Sequence, residues 1–237
     1  MWSASLDLSI AYAHEHSLVL SEDEIRRAKR FLIAKNRAYF ICGRAVLRML
    51  LGRYLDLGPE EVNFLYGPNA KPELSPAFHH GNLHFNVSHS HGQLLVAIAR
   101  DYAVGVDLEM IRPELDFEKI VERFFSFEET QQLRTLTGSR KRDGFFKGWT
   151  RKEAYLKARG EGIAAGLNQF AVSLVPGEPA RLLYDRRDLR AVSRWSLHEL
   201  STLPGYAAAL AVEAADLTVR RFAWDAYSSA SLAAGLA

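Results

Sequence analysis

Asp107 and Glu109 stand two residues apart in the segment Gly105-Val106-Asp107-Leu108-Glu109. On an extended strand this spacing puts both carboxylates on one face, close enough to share a cation, and turns Val106, Leu108 and Met110 to the other face, toward a core. Two like charges side by side repel, so the pair needs a compensating cation or raised pKa values. A hard divalent ion such as Mg2+ accepts these oxygens together with water and phosphate, and Mn2+ accepts them too. Two exposed acids at a strand end would give the same pattern, so the pair alone does not decide between a cation site and a solvated strand end.

Downstream lies Trp149-Thr150-Arg151-Lys152-Glu153-Ala154-Tyr155-Leu156-Lys157, closed by Gly160 and Gly162. Trp149, Glu153 and Lys157 are spaced four and four, which on a helix makes one slowly drifting stripe. A tryptophan, a carboxylate and an ammonium on one face suit the wall of a site better than a core. Glu153 is then a third metal ligand or a base, and Lys157, one turn on, neutralises phosphate charge. Arg151 and Lys152 fall off the stripe, toward solvent or another part of a ligand. An ordinary surface Glu–Lys pair has the same spacing and contributes only ~0.3–0.5 kcal/mol. The two glycines end the helix and let the backbone turn.

Upstream, Phe85-Asn86-Val87-Ser88-His89-Ser90 ends a strand and offers the Ser88 hydroxyl and the His89 imidazole to phosphate oxygens. His79, His80, His84, His89 and His91 invite a zinc site, but their spacings match no compact ligand set. Arg26, Arg27, Lys29, Arg30, Lys35, Arg37 and Arg44 crowd the first fifth of the chain, which suits a local anionic ligand, an acidic partner or a solvated helix face.

The elements that must carry these groups follow from periodicity and breakers. Residues 5–13 alternate as a strand does. Ser21 and Glu24 make a capping box, with Ile25, Ala28 and Leu32 as the apolar face behind it. A helix over 36–55 turns Phe40, Ala45, Leu47, Leu51 and Tyr54 inward, and 67–72 is a loop. Strands over 83–88 and 93–100 are joined by Ser90-His91-Gly92, and a third covers 103–110. Helices fill 117–159, with Phe125 and Phe127 in the core. Strands return over 169–175, 181–184, 192–199 and 206–213, and the Ser/Ala-rich last ten residues make a frayed tail. Gly92 and Gly205 each open a similar apolar run, a faint internal echo.

The 237 residues allow one large domain or two small ones. A net charge of +2 does not suggest a nucleic-acid binder. The single cysteine, Cys42, excludes an internal disulfide and a thiolate zinc cage and reads as a small core residue. No apolar run approaches a membrane span and no secretory signal opens the chain, so a cytoplasmic protein is expected.

With its three motifs in this order, the chain resembles the 4'-phosphopantetheinyl transferases of the surfactin-synthetase-activating (Sfp) type. Asn86-x-Ser88-His89-Ser90, Gly105-x-Asp107-x-Glu109 and Trp149-x-x-Lys152-Glu153-Ala154 with Lys157 carry the likeness. Gly43-Arg44, Lys71-Pro72, and Arg123-Phe124-Phe125-Ser126 with Glu129 extend it from about residue 20 to about residue 215. The resemblance implies an α/β (α+β) fold of two similar halves, 1–112 and 113–237, forming a pseudo-dimer. Each half is a small, mainly antiparallel sheet packed with helices, and the active site lies between them.

It further implies that coenzyme A is the substrate and that a serine of an apo acyl or peptidyl carrier protein attacks its β-phosphorus, releasing 3',5'-ADP. Asp107, Glu109 and Glu153 would hold Mg2+. Glu153, directly or through a water, would take the serine proton, with Glu129 as either a helper base or a helix N-terminal acid. Lys157 would steady the pyrophosphate, and Ser88 and His89 would bind coenzyme A phosphates. Lys152 is counted with these cofactor-binding residues. Lys71 would lie near the adenine and 3'-phosphate, and Arg27 would meet the 3'-phosphate, with Arg37 or Arg44 as substitutes. The expected protein is a monomer whose partner is a helical, acidic carrier, with no nucleic acid and no membrane. A metal-dependent hydrolase of the coenzyme A pyrophosphate is the alternative enzyme, and a silent carrier-binding module the alternative from another class.

Overall fold

In the computed structural model, residues 1–7, 10–67, 71–76, 82–162, 166–200 and 204–225 are described, with only the backbone at 10 and 11. The expected features on His79, His80 and the last ten residues lie outside them. The fold is mixed α/β, with small, mostly antiparallel sheets and helices. The chain forms two compact units. The larger comprises Met1, Asn82–His91 and Leu95–Arg220, the smaller Trp2–Gly81, Gly92–Leu94 and Arg221–Ala237.

The larger unit is built on β6 (Val104–Met110), β9 (Ser196–Glu199) and β10 (Tyr206–Val212), an antiparallel sheet in the order β6-β10-β9. Residues directly opposite in such a ladder share a face. Gly105, Asp107 and Glu109 therefore stand on one face with their partners Ala211, Ala209 and Ala207. The other face carries Val104, Val106 and Leu108 with Ala208, Leu210 and Val212, and packs with Leu95 and Ala97 of β5 (Gln93–Arg100).

Helix α6 (Gly138–Ala158) covers the first of these faces. Its Ala154, Tyr155 and Ala158 pack with Ala209, Ala211, Phe170 and Trp195. The small residues allow a close approach, and Gly105 makes it possible. A Cβ there would overlap the carbonyl oxygen of Ala154 and the amide nitrogen of Ala158, and would sit 2.9 Å from the Cα of Ala158. The front half of α6 joins α4 (Glu118–Phe124) and α5 (Phe127–Thr135) around Phe125, Phe145, Phe146 and Leu174. The remaining pair of the unit, β7 (Phe170–Val172) and β8 (Leu182–Asp185), is antiparallel, and α7 (Ala191–Arg194) is a single turn before β9.

β4 (Leu83–Ser90) runs along the free edge of β6 but is not in its backbone ladder. A buried edge leaves N–H groups that need acceptors. Side chains of β4 supply them: Val106 N donates to Asn86 Oδ1 at 2.9 Å, Leu108 N to Ser88 Oγ at 3.2 Å and Met110 N to Ser90 Oγ at 3.1 Å.

In the smaller unit, α3 (Ala34–Leu55) packs with α1 (Ile10–His16) and α2 (Glu22–Ala28). The Ser21 capping box is present, but its Glu24 is buried and accepts from Arg48 Nε at 2.7 Å. Arg48 also donates to the Pro59 and Val62 carbonyls. β2 (Phe64–Tyr66) and β3 (Pro72–Leu74) pair antiparallel, residues 68–70 of the loop expected over 67–72 lie outside the described residues, and β1 (Trp2–Ser5) pairs in parallel with β11 (Phe222–Ala223).

The structure corrects several expectations. The strand over 5–13 is instead β1 and α1, because a short apolar run does not separate the two periods. Leu32 is 98% exposed, since α2 ends at Ala28 before its periodicity reaches that residue. The strand over 192–199 shortens to β9. The glycine echo is real as local structure: Gly92, with φ +81°, and Gly205, with φ +86°, each lead into a strand.

Replacing Gly105 by Ala should lower stability by the upper end of the ~1–3 kcal/mol typical of overpacking, or more, because backbone is what it meets. Urea unfolding of Gly105→Ala measures this, and an unchanged midpoint would contradict the close approach.

Candidate active site

The face of β6 that carries Asp107 meets the turn of α6 that carries Glu153 and Lys157. Lys157 Nζ donates to Asp107 Oδ1 at 2.6 Å and to Ser88 Oγ at 3.2 Å. Ser88 in turn donates to Asp107 Oδ1 at 3.1 Å. Asp107 is 4% exposed, and among the described residues its Oδ2 has no hydrogen-bond partner, nor has Glu153 Oε1. Burial, then the charge of Asp107 and also that of Glu109, push the Glu153 carboxyl up to about 7, against the pull of Lys157. Burial and Asp107 likewise hold Glu109 above the usual carboxylate range, with Arg112 and Lys157 opposing.

Two orphaned, buried carboxylate oxygens and three mutually repelling acids are a donor set suited to a hard cation. Among the described residues the acids are not drawn into a closed cage of three or more ligands. Lys157 stands as the local counter-charge to Asp107. The residues thus fit a divalent ion in chemistry.

Other motif residues go elsewhere. Lys152 is corrected from ligand-binding to core: it is fully buried, and its Nζ donates to Glu129 Oε1 at 2.9 Å, to Glu129 Oε2 at 2.7 Å and to Phe170 O at 2.7 Å. Glu129 closes the capping box on Ser126 and accepts from Val172 N, so its oxygens are spent on structure. Arg151 is buried on Ser173 and Glu199. Trp149 packs edge-on to Phe124 and stacks on Phe145 instead of lining the site. Phe125 is core as expected, whereas Phe127, the first residue of α5, is 73% exposed. Ser88 is buried against Asp107, and His89, next along the strand, is exposed.

In the smaller unit a cavity of about 710 Å³ is lined by Asp23, Arg26, Arg27, Arg30, Phe31 and Tyr66. Three guanidinium groups with two aromatic rings suit a phosphate beside a flat base. Arg27 lines this cavity. Arg44 lies mostly buried against Phe40, Phe64 and Tyr66, and burial pulls its pKa below the usual range. Arg37 donates to Phe31 O at 2.9 Å. Lys71 precedes β3 and is half-buried.

The model of the 4'-phosphopantetheinyl transferase superfamily matches residues 103–211, and that of a 4'-phosphopantetheinyl transferase N-terminal region matches 8–102. The 4'-phosphopantetheinyl transferase HetI of Nostoc sp. is 40% identical over 212 residues, which are 90% of this chain and 86% of its own length. The chain belongs to the 4'-phosphopantetheinyl transferase superfamily. Among other relatives of this transferase, psf-1 of Bacillus pumilus is 37% identical over 147 residues, 61% of this chain and 59% of its own. Sfp of Bacillus subtilis is 28% identical over 158 residues, 65% and 66% respectively.

Sequence reasoning on this transferase missed Arg26 and Arg30 as cavity residues, although both stand in the basic run that marked the region. It also missed Asn86 and Ser90 as partners of β6, although their alternation with Ser88 is the period of a strand face.

Two outcomes are expected from this geometry. Lys152→Ala strands the buried Glu129 charge and should cost about 3–5 kcal/mol in denaturant unfolding. For Glu153, the folded-state pKa of about 7 exceeds the ordinary 4.5. The native state therefore keeps a proton that the unfolded chain has lost, and the resulting stabilisation, present below about pH 4.5, fades as pH rises through about 7. Melting of metal-free protein from about pH 5 to about pH 8 should fall more steeply than in Glu153→Gln. Equal slopes would remove Glu153 as the cause.

Proposed function

We propose that the chain transfers the 4'-phosphopantetheine arm of coenzyme A to a serine of an apo acyl or peptidyl carrier protein. What carries this reading is the convergence of Asp107, Glu153 and Lys157 with two unpartnered carboxylate oxygens. The serine oxygen forms a bond to the β-phosphorus, the bond from that phosphorus to the bridging oxygen breaks, and 3',5'-ADP departs. Glu153, directly or through a water, takes the serine proton. Lys157 neutralises charge on the pyrophosphate. Asp107, Glu109 and Glu153 are the residues that would hold Mg2+, or Mn2+, which would offset charge on the transferred and leaving groups.

The cavity lined by Arg26, Arg27 and Arg30 is the candidate for the 3'-phosphate, and Lys71 and the exposed His89 are further candidates for coenzyme A phosphates. Among the described residues no helix is long and apolar enough to cross a membrane. The one cysteine, Cys42, is free and buried, as suits a reducing compartment, and the proposed enzyme is a cytoplasmic monomer.

The reading is tested by intact-mass spectrometry of apo carrier proteins incubated with the protein, coenzyme A and Mg2+. A gain of one phosphopantetheine, about 340 Da, is expected, and its loss in EDTA marks the metal requirement. Asp107→Ala and Glu153→Gln should abolish the gain while leaving the circular dichroism spectrum intact. Full transfer by both would refute the metal site.

A further inference from the structure

β4 and β6 meet through three rungs that repeat every second residue. Asn86, Ser88 and Ser90 accept from the N–H groups of Val106, Leu108 and Met110, each partner 20 positions on. Two rungs do more. Ser88 donates its hydroxyl to Asp107 Oδ1 at 3.1 Å, and Ser90 stands 3.4 Å from Glu109 Oε2 in the same sense, each acceptor 19 positions on. The third rung would face Gly105, which has no carboxylate, and there the acceptor is an amide.

The direction of the Ser88 bond is forced. Leu108 N–H and the Lys157 ammonium both donate to its oxygen, and neither can accept, so among the described residues the hydroxyl hydrogen goes to Asp107. Ser90 is arranged alike. Met110 N–H donates to it, and His91 Nδ1 lies 3.1 Å away; a proton on Nδ1 would leave the hydroxyl hydrogen for Glu109. Ser88 thus ties Asp107 Oδ1 to the edge of β6, and Ser90 reaches Glu109 in the same way at longer range when His91 Nδ1 carries the proton. For Asp107 the tied oxygen is Oδ1, and Oδ2 is left without a partner among the described residues.

We propose that Ser88 and Ser90 are positioning residues that orient Asp107 and Glu109 for a divalent cation, and that Asn86 is the structural member of the same ladder. This rests on the metal-assisted reading above and gives the Ser88 hydroxyl a role toward a carboxylate. Carboxylates so held lose little freedom when a cation binds, whereas unheld ones must be ordered by it.

The test is Mn2+ binding to the full-length protein saturated with coenzyme A, followed by electron paramagnetic resonance, beside melting curves and coenzyme A binding in EDTA. Wild-type protein should bind both ligands; a wild type that binds coenzyme A but no Mn2+ would sink the metal reading itself. Ser88→Ala and Ser90→Ala should weaken Mn2+ binding about 10- to 100-fold, with coenzyme A binding in EDTA unchanged. Ser88→Thr and Ser90→Thr, which keep the hydroxyl, should restore most of it. Asn86→Ala should lower the melting temperature and leave Mn2+ affinity as in wild type.

The inference fails if both alanine variants bind Mn2+ as wild type does. It also fails if Asn86→Ala weakens Mn2+ as much as they do, if Ser88→Ala loses coenzyme A and not Mn2+, or if neither alanine variant folds.

Discussion

A helix can lie with its backbone against a sheet only where the sheet offers no side chain. Gly105 is that place on β6, and α6 rests there with Ala154 and Ala158. Its partner across the ladder is Ala211, so the opening is shallow on both strands. Everything chemical in the larger unit depends on this approach. The glycine shares its face with Asp107 and Glu109, and the alanines of α6 flank Glu153 and Lys157. Bringing backbone to backbone at one point brings the acids and the ammonium together at the next, which is why Lys157 can reach Asp107 at 2.6 Å.

The charges that surround this contact divide between two tasks. In each unit a capping-box glutamate is buried and held by a basic residue of that unit's long helix: Glu24 by Arg48 of α3, Glu129 by Lys152 of α6. In both cases the base also donates to backbone carbonyls, Pro59 and Val62 in one and Phe170 in the other. Such pairs add little net stability compared with an apolar core, but each is costly to break singly. They account for basic residues that look chemical in the sequence and are structural in the fold. Lys157, partly exposed and shared between Ser88 and Asp107, belongs to the other task.

The edge of β6 shows how one set of groups can meet two demands. Buried N–H groups outside a ladder require acceptors, and a backbone strand would have supplied them without any specificity for what lies beside it. Hydroxyl side chains accept and donate at once. Ser88 and Ser90 therefore satisfy the edge and address the carboxylates next to it, whereas Asn86, facing glycine, has only the first demand to meet.

Much of this is legible in the sequence alone. Alternation over 103–110 marks β6 and the face of its acids, the Ser21-x-x-Glu24 box marks a helix start, and two glycines mark the turns into β5 and β10, because each signal is local and has its cause within a few residues. That Lys152 is buried in the core while Lys157 is partly exposed is not legible. Both flank Glu153 on one helix, and a buried lysine is betrayed only by its partner, here Glu129, 23 residues away. The exposure of Phe127 beside the buried Phe125 has the same origin, since both fit an apolar pattern and only the packing of α4, α5 and α6 chooses between them. The motif residues were set by short-range spacing and backbone geometry. Their roles were set by which long-range partners reached them first, because a buried polar group takes the nearest satisfying partner that the packed chain provides.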